Sequence, residues 1–290
     1  MATRLEGVTV TTGGWRRSHS ALRLAVDAAR QTLERTGRTP DQIPLLIYTG
    51  LFRDRNLGEP ALAPMIQEDL GANPEDPHSG RRGTFSFDIS NGGGGVLSAL
   101  EVADRFLRAG TVDVVLVVSS DANPGHGLAP GFPFDPAGGA VLCTRSDGPG
   151  GLGAFSWATD PDDGSSFRAT VGERTGSNVL TIHHATDYAE RAGRVAAAAV
   201  QRLFDQESLK PIDVDVVVAS PNDDGFRQVF GDEVGIEDER IVSAGARLHT
   251  VSFLAGLETA VTSGRLARSR KALFVCASAG VTAGAVLFTP

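Results

Sequence analysis

An internal repeat constrains the fold of this chain more than any other sequence feature. The second half contains RVAAAAVQRLFDQESLKPIDVDVVVASP, which parallels LRLAVDAARQTLERTGRTPDQIPLLIYTG in the first half. It also contains SFLAGLETAVTSGRLARSRKALFVCASAG, which parallels GVLSALEVADRFLRAGTVDVVLVVSSD, with Leu257 and Glu258 where Leu100 and Glu101 stand. Any two βα units share a coarse order of helix, turn and strand. Two such parallels in sequence order predict a duplicated α/β fold.

Apolar spacing predicts the individual elements of this pattern. Helical periodicity is present over residues 20–37, 61–70, 96–109 and 187–203. Continuous apolar runs, typical of strands buried on both faces of a sheet, lie within residues 45–47, 84–89, 114–119 and 140–144. Proline and glycine residues predict a loop over residues 121–136. We therefore expect two packed halves, residues 1–150 and 151–290.

Composition and charge argue against several function classes. The net charge of −8 opposes general nucleic-acid binding, because such proteins need a positive surface. No apolar run has the length of a membrane span, and the start MATRLEGVTV lacks a signal-peptide core. Cys143 and Cys276 lie in the apolar runs AVLCT and LFVCAS, which opposes a disulfide and favours a cytoplasmic setting. His183 and His184 lack a third ligand, so we expect a loop there and neither metal nor cofactor.

Several ordered segments resemble ketoacyl-ACP synthase III, a branch of the thiolase-like condensing enzymes. FDISNGGGGVLSAL is similar to that family's D-[IV]-x-A-A-C-x-G-F-x-x-x-L, and FDPAGGAVLCT to its G-D-G-A-G-A-A-V-L strand. VDVVVASPND is similar to the strand ending in P-H-Q-A-N, RLHTVSFLAGLETAV to G-N-T-S-A-A-x-x-x-x-L, and AGAVLFTP to the last strand. The resemblance extends from Ser20 over nearly the whole chain. It implies an α/β thiolase-like duplicated fold, with two similar βαβαβ-type halves packed as α-β-α-β-α layers.

The chain departs from this family at the residues that carry its chemistry. The family uses a Cys thiolate that takes the acyl group, and a His and an Asn that activate the second thioester and hold the oxyanion. The resemblance places the Cys position at Gly93, the His position at Ser220 and the Asn position at His249. Glycine has no side chain to form an acyl-enzyme, so the family's two-step chemistry cannot run at Gly93. Residues 91–95 contain no other nucleophile.

The glycine run itself has two interpretations. At the start of a helix, the backbone N–H groups of Gly92, Gly93 and Gly94 could bind a substrate carboxylate, phosphate or thioester oxyanion. Alternatively, the glycines only permit a sharp turn and close packing of the two halves. Asn91 either donates a hydrogen bond into the cavity or caps the helix.

His249 is the most informative single residue of the candidate site. The resemblance implies that it lies at the floor of the cavity, where a neutral imidazole can act as a general base. Ser220 would face it, and Asp223 or Asp224 would complete a hydrolase-like or acyl-transfer arrangement. A purely structural role for His249 is the alternative. Asp135 in FDPAGG is expected to organise a turn, as the matching aspartate does in the family.

Coenzyme A and an acyl-carrier protein are the partners that the resemblance implies. Family members hold coenzyme A with a Trp and an Arg near the N-terminus, and Trp15, Arg16 and Arg17 are the candidates here. A basic cluster could meet an acidic carrier protein, unless it is only a solvated turn. This cluster consists of Arg265, Arg268, Arg270 and Lys271.

Three hypotheses about function follow. The chain is a non-catalytic, cavity-shaping partner of a ketosynthase in fatty-acid, polyketide or specialised-metabolite biosynthesis, as a homodimer or a heterodimer. Alternatively, it is an enzyme that acts on an acyl thioester or β-keto substrate without a covalent acyl-enzyme, with His249 as base and the glycine amides as oxyanion hole. In the third hypothesis it binds an acyl carrier or a small acid without turnover. Replacement of all three family residues favours the first.

Overall fold

The computed structural model of this chain describes residues 1–13, 20–53, 57–73, 83–123, 129, 131–161, 164–174, 176–245 and 247–290. Trp15, Arg16 and Arg17, the candidates for coenzyme A binding, lie outside the described residues.

The first half of the chain forms a five-stranded mixed sheet. Its strands are β1 (Ala2–Thr12), β2 (Leu45–Tyr48), β3 (Phe85–Asp88), β4 (Val114–Asp121) and β5 (Ala137–Ser146). Their order across the sheet is β1-β5-β4-β2-β3. The strand β2 runs parallel to β3 and β4, whereas β5 is antiparallel to both β4 and β1. The strand β3 therefore forms one edge of this sheet.

The second half repeats this sheet strand for strand. Its strands are β6 (Gly151–Thr159), β9 (Val216–Ser220), β10 (Ile241–Val242), β11 (Ala272–Ser278) and β12 (Thr282–Thr289). Their order is β10-β9-β11-β12-β6, which matches β3-β2-β4-β5-β1 of the first sheet. The parallel and antiparallel pairings also correspond. The repeat read from the sequence is thus a repeat of the fold.

The helices form three layers around the two sheets. They are α1 (Ala21–Thr36), α2 (Ala63–Leu70), α3 (Gly95–Arg108), α4 (Tyr188–Glu207), α5 (Asp224–Val234), α6 (Ser252–Thr262) and α7 (Arg265–Arg268). The helices α1 and α2 pack on the outer face of the first sheet, and α4 packs on the second sheet with α5 beside it. Between the sheets lie α3, which contacts β4, β5, β1 and β12, and α6, which contacts β1, β5, β9 and β10. This is the expected α-β-α-β-α order of layers.

The apolar runs of the central strands follow from this layering. In β2, Leu46 and Tyr48 belong to the core beneath α1 and α2, whereas Leu45 and Ile47 belong to the core shared with α3 and α6. Successive strand residues point to opposite faces of a sheet. A strand covered by helices on both faces therefore has apolar residues at consecutive positions.

Local signals fix the ends of several helices. The Ser20 hydroxyl accepts a hydrogen bond from the N–H of Arg23 at 3.3 Å and caps α1. Gly37, with a φ of 67°, ends this helix in the left-handed conformation that glycine adopts without strain. The predicted helix over residues 20–37 is confirmed together with both of its ends.

Apolar spacing predicted none of four strands, two of which start the two halves and two of which follow β6 in the second half. These are β1, β6 and the hairpin formed by β7 (Phe167–Arg174) and β8 (Ser177–His184). His183 and His184 lie in β8 rather than in a loop, so that expectation was wrong. Their side chains project to opposite faces of the strand. Among the described residues, no cluster of three metal-ligating side chains is present.

The described helices include none with the length and apolar character that spanning a bilayer requires.

The carboxylate of Asp88, at the end of the edge strand β3, binds both the segment after β2 and the start of α2. Arg53, which is 2% exposed, donates to Asp88 at 2.6 Å. The same carboxylate accepts the backbone N–H groups of Leu62 and Ala63 at 3.0 and 2.9 Å. It thereby caps the first turn of α2 from a neighbouring strand.

We expect Asp88→Ala to lower the free energy of unfolding by about 3–5 kcal/mol, because it leaves a buried guanidinium without a countercharge. Urea denaturation measures this change. The control is Glu68→Ala, which removes an exposed carboxylate from α2 and should change stability by less than about 0.5 kcal/mol. Equal effects of the two substitutions would contradict this account of the ion pair.

Candidate functional site

A tight turn of glycines joins β3 to α3. Residues Gly92–Gly94 form a single 3-10 turn, and Gly92 has a φ of 44°. A Cβ atom on Gly93 would lie 2.9 Å from the carbonyl oxygen of Ala277 in β11. One on Gly95 would lie 3.2 Å from the carbonyl oxygen of Thr49. The turn is therefore packed against both sheets, which supports the close-packing interpretation of these glycines.

The backbone amides of this turn are not all available to a ligand. The N–H of Gly94 donates to the carbonyl of Asn91 at 2.9 Å, and the N–H of Gly95 donates to the carbonyl of Gly92. The proposed use of Gly94 as an oxyanion donor was therefore wrong. The amides of Gly92 and Gly93 remain as candidate donors.

Asn91 neither caps the helix with its side chain nor points freely into a cavity. Its amide nitrogen donates to the Ser98 hydroxyl at 3.0 Å, and its amide oxygen accepts from the Ser278 hydroxyl at 3.0 Å. Ser278 ends β11 and is 3% exposed. The Asn91 side chain therefore fixes the glycine turn to the second sheet, which is a positioning role.

His249 lies in the segment before α6 and is enclosed by aromatic rings. Its ring centroid is 4.8 Å from that of Phe52, 4.7 Å from that of Phe134 and 5.9 Å from that of Phe167, which stacks on it. The imidazole is 13% exposed. Burial lowers the pKa of His249, and the nearby carboxylate of Asp121 partly opposes this shift. The imidazole is accordingly neutral near pH 7, as general-base chemistry requires.

A buried carboxylate holds the segment that carries His249. The Oδ2 atom of Asp121 accepts from both the N–H and the hydroxyl of Thr250, each at 2.7 Å, and Oδ1 accepts from the N–H of Phe52 at 3.1 Å. Ser119 donates in turn to the Thr250 hydroxyl at 2.9 Å. The Nδ1 atom of His249 lies 3.8 Å from Oδ2 of Asp121. Asp121 is thus the carboxylate beside His249.

The structure does not support the expected pairing of Ser220 with His249. Ser220 ends β9, is 1% exposed, and its hydroxyl has no hydrogen-bond partner among the described residues. Superposing Pro221 on the proline of P-H-Q-A-N would place the family's histidine at Asn222 instead. The side chain of Asn222 is exposed and accepts from the Ser243 hydroxyl at 2.7 Å.

Asp223 and Asp224 do not serve His249 either. The carboxylate of Asp223 accepts backbone N–H groups of the first turn of α5 at 2.9 and 3.3 Å, so it is the cap of that helix. The side chain of Asp224 is 97% exposed and pairs with Arg227 at 3.1 Å. The predicted triad with these aspartates was wrong, because each of them stabilises α5.

The predicted basic cluster lies at the opposite end of α6 from His249. His249 precedes this helix and α7 follows it, so they are separated by the helix length of about 16 Å. The cluster comprises Arg265, Arg268, Arg270 and Lys271. Arg265 and Arg268 donate to backbone carbonyls, and Arg270 lies 3.5 Å from Asp215. These contacts favour a structural role, and a role in carrier-protein binding stays untested.

Two further expectations concern residues near the site. Asp135 accepts the N–H of Arg247 at 3.2 Å, and its own N–H donates to the Arg247 carbonyl at 2.7 Å, so it organises the turn as predicted. Cys143 and Cys276 are buried in β5 and β11. Burial raises the pKa of Cys143 to about 12 and also raises that of Cys276, which keeps both thiols protonated.

Sequence reasoning missed most of the residues around His249. They are Phe52, Asp121, Phe134, Phe167 and Ser278. Asp121 and Ser278 end equivalent buried strands, β4 and β11, and a polar residue at that position was a usable signal. The three phenylalanines lie in separate segments and gave no signal of this kind.

Comparison with known proteins finds similarity to ketoacyl-ACP synthase III proteins. Residues 87–161 match the family model for 3-oxoacyl-[acyl-carrier-protein] synthase III. The chain is 24% identical to β-ketoacyl-[acyl-carrier-protein] synthase III of Aquifex aeolicus, over 91% of this chain and 82% of that protein. It is 28% identical to β-ketoacyl-[acyl-carrier-protein] synthase III 3 of Streptomyces coelicolor, over 92% of this chain and 82% of that protein.

Solved structures have the same fold. The Aquifex aeolicus 3-oxoacyl-[acyl-carrier-protein] synthase III structure aligns with a TM-score of 0.81 at 19% identity, and covers 100% of both chains. A variant of OleA from Xanthomonas campestris aligns with a TM-score of 0.83 at 14% identity, over 100% of this chain and 99% of that one.

The buried neutral imidazole of His249 predicts a specific pH dependence of stability. Its pKa is lower in the folded chain than the unfolded value of about 6.5. The folded chain therefore keeps its full free energy of unfolding well above pH 6.5. This free energy decreases as pH falls, because the unfolded chain takes up the proton first. At pH 5.5 this loss reaches at most about 1.4 kcal/mol.

Urea denaturation at pH 7.5 and 5.5 tests this effect. His249→Asn should lose less stability between the two pH values than the wild type. His183→Asn, a substitution at an exposed histidine, should behave as the wild type does. An equal loss in the wild type and in His249→Asn would contradict the assignment.

Proposed function

We propose that this chain, which is similar in sequence and fold to ketoacyl-ACP synthase III proteins, is the non-catalytic partner of a cysteine-containing ketosynthase. In this role it contributes a surface and part of a cavity wall, while the partner carries the acyl group. One relative is a β-ketoacyl-[acyl-carrier-protein] synthase III, and one solved structure of the same fold is the priming β-ketosynthase of a polyketide biosynthetic pathway, which supports placing the complex in a pathway of that kind.

The packing at Gly93 is the observation that carries this proposal. The resemblance assigns the acyl-accepting residue to this position, yet a Cβ atom there would lie 2.9 Å from the Ala277 carbonyl. Real Cβ contacts are essentially never this short. The strand β11 of the second half thus packs directly against the backbone of Gly93. We expect such packing where no nucleophilic side chain is needed. The two thiols of the chain, Cys143 and Cys276, are buried in strands.

The aromatic rings around His249 support the same interpretation. Phe52, Phe134 and Phe167 each contact the imidazole with centroids within 5.9 Å. A general base needs space for a substrate at its proton-accepting atom. Rings on several sides restrict that space and suit a histidine that shapes a cavity wall.

An exposed edge gives the partner a place to bind. The strand β3 is the last strand of its sheet, and Phe85 on it is 58% exposed. Phe87 lies two residues further, with its ring 5.1 Å from that of Phe85. Partly buried Val102 and Phe106 on α3 adjoin the core to which Phe87 also packs. Among the described residues no strand pairs with the outer side of β3, and an edge strand that carries an exposed Phe85 favours pairing with a second chain, whether a homologue or a copy of this one.

A second function is favoured by one observation, the placement of Asp121 beside Nδ1 of His249 at 3.8 Å. Among the described residues no hydrogen bond joins the two groups, but the negative charge of Asp121 raises the pKa of the His249 imidazole against the larger lowering by burial. In this alternative, the chain acts on an acyl thioester or β-keto substrate without an acyl-enzyme. His249 is the base, and the remaining donors are the amides of Gly92 and Gly93.

Gly93→Cys tests whether the site lacks only its nucleophile. We expect this variant to form no acyl adduct with acyl-coenzyme A, and to lose about 1–3 kcal/mol of stability because the side chain collides with β11. Intact-protein mass spectrometry and urea denaturation give the two readouts. The control is Gly172→Cys, since a Cβ atom at Gly172 in β7 has no neighbour within 4 Å. A stable, acylated Gly93→Cys would remove the observation on which the proposal rests.

Native mass spectrometry tests the partner role directly. The chain is mixed with a cysteine-containing ketosynthase encoded beside it, and we expect a heterodimer whose condensing activity exceeds that of the ketosynthase alone. Phe85→Glu should weaken pairing by at least about tenfold, because it places a charge in the interface. Ile212→Glu changes a residue that is 69% exposed elsewhere and should leave pairing unchanged.

The alternative outcome is equally clear. Product formed by this chain alone, and lost in His249→Ala, would overturn the non-catalytic proposal in favour of the second function.

A further inference from the structure

A groove lies between β1, β12 and the end of α6, and the short helix α7 closes one side of it. Its volume is about 260 Å³. Val261, in the last turn of α6, lines the groove. Ser252, which begins this helix directly after the His249 segment, lies about 14 Å away along the helix axis. The groove is therefore separate from the candidate site around His249.

The walls of the groove are mainly apolar. Leu257, Leu266 and Phe288 line it and are buried members of the central core. Val261 lies among these side chains but is 46% exposed. A dry apolar cavity of about 150 Å³ is large enough to hold benzene, so this groove has room for a short aliphatic chain. Such a chain would remove the apolar surface of Val261 from water.

One arginine at the rim of the groove has donors to spare. The carboxylate of Glu6, which also lines the groove, accepts from Nε and Nη2 of Arg38 at 3.0 and 2.9 Å, so its charge is neutralised. Arg4 is exposed and donates to the backbone carbonyl of Pro149 at 2.9 Å. Among the described residues it pairs with no carboxylate. Because a guanidinium carries five N–H donors, most of those of Arg4 are available to a ligand.

The helix α7 adds positive charge beside the groove. Arg265 and Arg268 stand on the same short helix as Leu266, which lines the groove. Both guanidinium groups donate to backbone carbonyls, and within the described part of the chain neither pairs with a carboxylate. Together with Arg4 they give three uncompensated positive charges, of which a carboxylate at Pro290 would offset only one. The rim therefore favours an anionic head group.

We propose that this groove binds a medium-chain aliphatic carboxylate. The aliphatic chain lies against Leu257, Val261 and Phe288, and the carboxylate accepts hydrogen bonds from Arg4 at the rim. The positive rim disfavours a cationic amphiphile, and a small polar anion gains nothing from the apolar walls. This binding site does not rest on the partner role, because neither β3 nor the His249 segment contributes to it.

Three probes test both parts of the ligand on the wild-type chain by isothermal titration calorimetry at pH 7.5. Octanoate has the chain and the carboxylate, octylammonium has the chain with the opposite charge, and acetate has the head group alone. We expect octanoate to bind at least about tenfold more tightly than either of the others. Binding of octylammonium or of acetate as tight as that of octanoate would overturn the proposal.

Two variants locate the site. Val261→Asp places a charge in the apolar wall, and Arg4→Gln removes the charge at the rim, so each should weaken octanoate binding by about tenfold. Both residues are exposed, so we expect both variants to fold. The matched controls Ile212→Asp and Arg194→Gln change exposed residues elsewhere and should bind octanoate as the wild type does. Unchanged octanoate binding in either Val261→Asp or Arg4→Gln would overturn the proposal.

Native mass is recorded for the same variants, because an exposed apolar surface can also be covered by a second copy of the chain. A smaller assembly for Val261→Asp, together with no octanoate binding by the wild type, would overturn the proposal in favour of such a contact. The comparison of the three probes needs no variant to fold. Its failure would leave the pairing with a ketosynthase through Phe85 unaffected.

Discussion

The buried carboxylate of Asp121 holds together the parts of the molecule on which the candidate site depends. It stands at the end of β4 in the first half and accepts two hydrogen bonds from Thr250 in the second half. A third bond reaches Phe52, so three distant segments meet at one side chain. An ionised carboxylate at 1% exposure is stable only with such donors around it. The position of His249 relative to the first sheet is therefore set by an electrostatic requirement.

Duplication explains why the site lies where it does. The helices α3 and α6 are equivalent, and both form the central layer between the sheets. The helix α3 follows the glycine turn at the end of β3, and α6 follows the His249 segment after β10. The glycine turn and the His249 segment lie close together at this end of the central layer. The two halves contribute different side chains to equivalent positions. The first half contributes a glycine turn and the second half an imidazole, which is how a symmetric fold acquires an asymmetric site.

The sequence predicted the fold better than the site, for physical reasons. Apolar spacing over residues 20–37 predicted α1, and in the structure the Ser20 cap and the left-handed Gly37 set its two ends. The polar strands β7 and β8 were missed because they lie on the surface, where no continuous apolar run is required. Motif order identified His249 as a candidate site residue. It could not reveal the rings around it, because Phe52, Phe134 and Phe167 are brought together only by tertiary packing.

The hairpin β7–β8 affects how the sequence of such a protein can evolve. Among the described residues of the first half it has no counterpart, and it belongs to neither five-stranded sheet. Even so, Phe167 at its start stacks on His249. The surroundings of the imidazole are thus partly supplied by a module outside the duplicated framework. Mutation in this hairpin can alter what the site accepts while the strands that fold the chain stay unchanged, so ligand preference and foldability can evolve separately.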